Sequence, residues 1–405
     1  MANRYWVNGG STNNWSDTSN WSTTSGGTGG ASVPGVSDDA IFDTNSASYN
    51  CTLDQNVNVN SWTYPTSAYG GTIDCVTYDV TTAGNLWGRS GATLYMGTGT
   101  FNVGGSFSCR DGNLYGQTAT LRFTTLSGAL SLSNAQQDTG PNLEVASGAR
   151  CIYTFTGKQD VKSFDCYGEF YFGGGGGLEV FGDVTIRSTG SLTNTTSRYI
   201  RIQTTSNPVC TLEAGASVGD TAFTTYRSNP SSTASLTFAG AGWATATGVS
   251  LQLNYLTTVN GRWTYVFPAA MHVKEVRLEP RYSSSRTTLD FSTNSTQLTV
   301  ETHFRDVSAH GTDTYNINVG SSKLTFNLSS NSTFSPRGNT FPPIIIADDA
   351  VGTLTLDSNL TTEYVHDCNS MIDLNGFTIT ETGTDPVGCI TPDVFYLLDE
   401  AFKRL

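Results

Sequence analysis

The chain has 405 residues, of which 14% are charged, 11% aromatic and 43 glycine, where an ordinary soluble domain carries roughly 25% charged residues. Its aromatic and aliphatic content excludes general disorder, and its glycines follow no collagen-like three-residue period. With 21 basic against 34 acidic residues the formal charge is −13, which argues against a nucleic-acid partner because phosphates call for a basic face.

Residues 1–50 form a distinct opening. Trp6, Trp15 and Trp21 stand among Gly9, Gly10, Asn13, Asn14, Asp17 and Asn20. Ser25 to Gly30, then Pro34, Gly35, Asp38, Asp39, Ile41 and Phe42 follow. Large rings in a glycine- and asparagine-rich setting read as anchors of a turn-rich segment. Trp6, Trp15, Trp21 and Phe42 would cover the first open coil of a solenoid, whose bare edge otherwise recruits other chains. Docking of a partner and stacking on a sugar are the other two uses open to them. Met1 to Trp6 lacks the cationic and then apolar pattern of a secretory signal, so the expected way out of the producing cell is lysis or another non-secretory route.

Residues 51–391 are a succession of short β-rich runs parted by Gly, Asn and Ser-Gly turns. They include Thr93 to Met96, Phe101 to Phe107, Thr118 to Phe123, Asn142 to Val145, Val184 to Arg187, Gln297 to Val300 and Lys323 to Leu328. Leu324, Phe326 and Leu328 show the period of two that buries one face of a strand. Segments such as "LEVASGARCIYTFTG" from Leu143 and "LEVFGDVTIRSTGSLT" from Leu178 resemble one another. A strand, a turn and another strand recurring about every 20 to 30 residues predict an irregular right-handed parallel β-helix, in which stacked coils build the core together. β-Sandwich or jelly-roll domains are the alternative, since they too use short strands. A break is expected near 221–233, where Asn229 and Pro230 sit among serines.

Residues 392–405 read as one short amphipathic helix. Asp393 can cap it after Pro392, while Lys403 and Arg404 suit its last turn. Val394, Leu397, Leu398, Ala401 and Leu405 share a face that Phe395 and Phe402 widen. Phe395, Leu398 and Phe402 would cover the last coil or dock on a partner. No apolar run reaches the 18 or so residues of a membrane helix, so no membrane insertion is expected.

Familiar catalytic motifs do not occur: no phosphate-binding loop, HExxH, EF-hand loop, dinucleotide fingerprint or GxSxG elbow. Gly173 to Gly177 leads into Leu178 and Glu179 rather than Lys and Ser, and reads as a turn. Eight cysteines without a CxxC pair read as buried free thiols, although their even count permits disulfides. His272, His303, His310 and His366 do not make a zinc set. No catalytic, cofactor-binding or metal-ligating residue is therefore expected. Asp160, Asp165, Glu169, Glu179 and Asp183 could meet across coils, as could Lys274, Glu275, Arg277, Glu279 and Arg281. Glycoside cleavage needs two such acids, while cross-coil ion pairing on a solvated strand is the plainer use. Asp38 with Asp39, or Asp348 with Asp349, permits structural calcium.

The opening "YWVNGGSTNNWSDTSNWSTTSGG" followed by "VPGVSDDAIFD" resembles that of tailed-phage virion structural proteins and of related adhesin-like β-helical proteins. The likeness rests on Trp6, Gly9, Gly10, Trp15, Asn20, Trp21, Gly26, Gly27, Pro34, Asp38, Asp39 and Phe42. Beyond these residues the coils resemble pectate-lyase-like and adhesin-like helices in texture alone. The resemblance implies a non-enzymatic head fibre, spike or decoration protein, assembled in the host cytoplasm and resident in the virion. It further implies a homotrimer touching other virion proteins and a host surface glycan or protein. A polysaccharide depolymerase tailspike is the alternative function, and a cellular adhesin the second.

Overall fold

The computed structural model describes residues 1–46, 48–64, 69–88, 91–109, 113–132, 140–154, 159–174, 176–193, 198–203, 207–226, 233–253, 262–278, 286–307, 315–347, 349–367 and 371–383. The chain is an all-β parallel solenoid of the right-handed type with about 12 turns. Strands of successive coils pair in parallel, and groups bonded across coils lie 20 to 30 residues apart. Parallel pairing sets the sandwich alternative aside, because sandwiches are built from antiparallel sheets. The predicted helix over 392–405, with Phe395, Leu398 and Phe402, lies outside the described residues.

Two compact units divide the chain, residues 1–201 with 215–217 and residues 202–214 with 218–405. In the first unit each coil has three faces. One stacks Asp39–Ile41, Ser61–Thr63, Leu86–Gly88, Phe107–Cys109, Gly128–Leu132, Arg150–Tyr153, Glu169–Phe172 and Ser191–Thr193. The second stacks Val57–Val59, Val80–Thr82, Thr100–Val103, Thr120–Phe123, Asn142–Val145, Ser163–Cys166 and Val184–Ile186. A third carries Cys51–Thr52, Thr72–Asp74, Thr93–Tyr95 and Asn113–Tyr115, and later Gln159–Val161 and Leu178–Val180.

Alternation along each strand sends one set of side chains inward in register. On the second face Val57, Val80, Phe101, Leu121, Leu143, Phe164 and Val184 form one continuous buried ladder. Fully burying such a side chain contributes roughly 1.5–3 kcal/mol. No rung could collect that alone, because its inward face is covered by the rungs beside it.

Asparagine is abundant because it ties corners together. The side-chain oxygens of Asn50, Asn56 and Asn85 accept the backbone N–H of Thr72, Asp79 and Ser106 on the next coil at 2.9, 3.0 and 2.8 Å. Asp79 does the same for Thr100 at 2.7 Å. The corner between the third and second faces repeats a left-handed residue, with φ of 53° at Val76, 71° at Gly97 and 52° at Gln117. At Gly97 a Cβ would lie 1.8 Å from the Val76 carbonyl oxygen, so glycine there answers close approach as well as conformation.

Phe101 to Phe107, one run in the sequence, is two strands parted by Gly104 and Gly105. A Cβ at Gly104 would lie 2.4 Å from the Ala83 carbonyl oxygen, which leaves a sharp corner there. In the second unit the stretch 221–233 opens with a strand, Thr221–Tyr226, instead of a loop. Its threonines, with Phe223 and Tyr226, suit a pleated surface. Strands Ser250–Leu253, Glu275–Leu278, Phe304–Asp306 and Ser332–Phe334 follow it in the same sheet.

Candidate functional site

At the N-terminal end of the first unit, Trp6, Trp15, Trp21 and Phe42 are wholly buried. Trp6 and Trp15 meet Trp21 edge-on at 5.1 and 4.7 Å, and Phe42 stacks on Trp62 at 5.7 Å. The loop around them is held by polar side chains. Asn20, itself buried, accepts from Gly10 N–H at 2.8 Å and donates to the carbonyls of Thr12 and Asn14. Trp21 Nε1 donates to the Trp15 carbonyl at 2.8 Å. Strand Asn3–Trp6 pairs in parallel with Asp39–Ile41 and antiparallel with the two-residue strand Trp21–Ser22. The edge of this sheet is thereby cut to two residues, and the four rings turn no face to solvent.

The acids that the sequence offers for chemistry fall on outward positions of neighbouring coils. Glu144 is the register partner of Asp165, and Asp160 that of Glu179. Arginines of adjacent coils hold them. Arg122 Nε and Nη2 reach Glu144 at 2.8 and 3.0 Å, and both Arg187 contacts to Asp165 are 2.7 Å. Arg150 lies 3.1 Å from Glu169, and Arg201 lies 2.6 Å from Glu179. The two-pronged contacts of Arg122 and Arg187 are the strong form of the carboxylate–arginine bond. The hydrogen bonds that Arg122 donates to Glu144 push the Arg122 pKa up.

Three of the arginines also lie over tyrosine rings: Arg150 over Tyr171 at 4.4 Å, Arg187 over Tyr167 at 5.0 Å and Arg201 over Tyr199 at 4.7 Å. The Glu179–Arg201 pair is buried, whereas Asp165–Arg187 is about one-third exposed. Neither these arginines nor Glu144 stood out as partners in the sequence. A signal was present: Arg122–Glu144, Asp165–Arg187 and Glu179–Arg201 are all opposite charges 22 residues apart, one coil of this solenoid.

The remaining candidates disperse. Asp38 accepts the N–H groups of Ala2 and Gly35, both at 3.2 Å, and Asp39 accepts from Asn60 and Ser61 at 2.7 and 2.6 Å. Asp348, Glu279, Arg281 and His310 lie outside the described residues. In the second unit Lys274 meets Asp220 at 2.9 Å and Glu275 meets Arg305 at 3.5 Å. His303 accepts the Thr333 N–H at Nδ1 at 3.0 Å, and burial with help from Arg305 lowers its pKa.

Cys51, Cys75, Cys109, Cys151, Cys166 and Cys210 are buried and form no disulfide. Burial raises the pKa of Cys51, Cys75 and Cys151, and pushes that of Cys166 up to about 12. Such thiols stay protonated and unreactive. Cys368 and Cys389 lie outside the described residues. An open cleft of about 600 Å³ in the second unit is lined by Phe238, Ala239, Ala241, Ala244, Pro268 and Asn294, among others, with no titratable side chain. Comparisons with protein-family models, with curated proteins and with solved structures returned no match to this chain.

Proposed function

We propose that the chain is a non-enzymatic structural protein of a phage virion surface, a fibre, spike or decoration element assembled in the host cytoplasm. The observation that carries this reading is the engagement of the outward acids. Glu144, Asp165, Glu169 and Glu179 each lie against an arginine of a neighbouring coil, an arrangement that stiffens a shaft. A proton-transferring acid instead needs its carboxyl free to reach a substrate. The Trp- and Gly-rich opening supports the virion assignment by its resemblance to phage structural proteins. Its buried rings suit an end that must not polymerise with other β edges. In this reading the working form is a homotrimer in contact with other virion proteins and with the host surface.

The experiment is mass spectrometry and cryo-EM of purified particles, with light scattering of the isolated chain. Presence at stoichiometric copy number in particles, and a trimeric mass, are expected. Recovery with the cell envelope and not with particles would replace this reading with a cellular adhesin. A second reading, polysaccharide depolymerase, draws on the Asp160–Glu179 and Glu144–Asp165 register pairs, because glycosidases use two nearby carboxyls. New reducing or unsaturated ends released from host polysaccharide, and lost with Asp160→Asn, would favour it.

A further inference from the structure

The early rungs of the third face, Thr72–Asp74, Thr93–Tyr95 and Asn113–Tyr115, are unlike the rest of the first unit. Their inward row is Ile73, Leu94 and Leu114, each buried. Their outward rows are Thr72, Thr93 and Asn113, and beside them Asp74, Tyr95 and Tyr115, all in register. Tyr95 and Tyr115 stack at 4.7 Å with their planes 14° apart. On the second face the outward groups meet one another, as in Arg122–Glu144, Asp165–Arg187 and Ser163–Asn142. Here Asp74 Oδ1 accepts the Val76 N–H at 3.0 Å. The two phenols, the Thr72 and Thr93 hydroxyls, the Asn113 amide and Asp74 Oδ2 have no hydrogen-bond partner among the described residues. Polar groups held on a rigid sheet and left unengaged are what a ligand can use without first breaking protein contacts.

We propose that this face binds a neutral, hydroxyl-rich glycan lying along the solenoid axis. Three features select that class. Hydroxyls, an amide and one carboxylate match sugar hydroxyls in both donor and acceptor sense. Tyrosine rings add apolar rims against sugar C–H groups, with a polar tip at the water side. Among the described residues these rungs carry no cation, and Asp74 repels polyanions, so sulfated or uronic-acid polymers are disfavoured. The rungs repeat every ~4.8 Å, close to the length of one pyranose unit, so successive sugars meet equivalent groups. A second copy of the chain is the weaker occupant. These six side chains fall well short of the roughly 20–30 residues a side that a stable protein interface engages. The proposal deepens the surface reading above and rests on it for the host as the source of the glycan.

The test is affinity electrophoresis and calorimetry of the full chain with soluble mannan, galactan and hydroxyethyl cellulose, with alginate as the anionic control. Binding to at least one neutral polymer and none to alginate is expected. Tyr95→Ala with Tyr115→Ala should weaken it at least tenfold at unchanged melting temperature. Tyr95→Phe with Tyr115→Phe keeps the stack and should weaken it a few-fold, which serves if the alanine pair fails to fold. The proposal is overturned if no neutral polymer binds, or if both double variants bind as the parent does. It is equally overturned if they change the oligomeric state, which would make the face a contact between copies. Failure here leaves detection in particles untouched, while a glycan-binding chain missing from particles would sink the virion reading alone.

Discussion

Two outer faces of the first unit, less than a hundred residues apart in the chain, treat the same solvent in opposite ways. On the second face, between residues 122 and 187, the outward side chains are arginines and acids closed on one another across coils. Between residues 72 and 115 they are threonines, an asparagine and stacked tyrosines. The first arrangement spends its polar groups on neighbouring rungs; the second leaves them for something else. On a solenoid, then, the register partner of an outward residue matters more than its identity.

The comparison breaks hardest at the buried Glu179–Arg201 pair, which closes later rungs of the third face itself. Arg201→Ala removes the cation 2.6 Å from buried Glu179, and the expected loss is about 3–5 kcal/mol in denaturant unfolding. Replacing both, Glu179→Leu with Arg201→Met, should return most of it, because an apolar pair carries no desolvation cost. Next comes the corner beside the tyrosine face. Gly97→Val forces a β-branched residue to φ 71° with its Cβ 1.8 Å from the Val76 oxygen, and should cost about 3 kcal/mol or more. Val76→Gly should act in the reverse direction, gaining about 1 kcal/mol by relieving a left-handed valine.

Smaller effects sharpen the contrast. Asp165→Asn loosens a pair that is one-third exposed, so its cost should be about 1 kcal/mol or less and should shrink further in high salt. The smallest effect expected is a pH dependence from His303 in the second unit. Its pKa is lowered in the fold from an ordinary value of 6.5, so below that value the unfolded chain takes up the proton more readily. Stability should fall as pH drops through the region under 6.5 and stay level above it. Melting curves from pH 5 to 8 check this, and His303→Gln should flatten the slope.

Much of the architecture was legible in the sequence. Asn142 to Val145 and Gln297 to Val300 are strands with the bounds their alternation predicts. Coil length was legible as well, because each rung repeats the same local requirement of a short apolar strand and a turn. Glycine corners were harder. Phe101 to Phe107 alternates straight through a corner, and only the approach of the Ala83 carbonyl to Gly104 shows why the chain turns there. The candidate acids stand out singly in the sequence and their arginine partners do not, although the pairs share an offset of 22 residues. That offset becomes a contact only once the coil length is known for that stretch.

Composition and period alone determined the class of this molecule. Low charge, turn residues at coil corners and a period of two dictate short strands with one buried face, and a recurring spacing lets them stack. Only the tertiary structure decided which outward groups meet. Rungs vary in length, and one residue of slip exchanges inward for outward positions. The pairing of Glu179 with Arg201 and the unengaged stack of Tyr95 on Tyr115 are therefore properties of register, which is settled by the packing of the whole core rather than by any local run of residues.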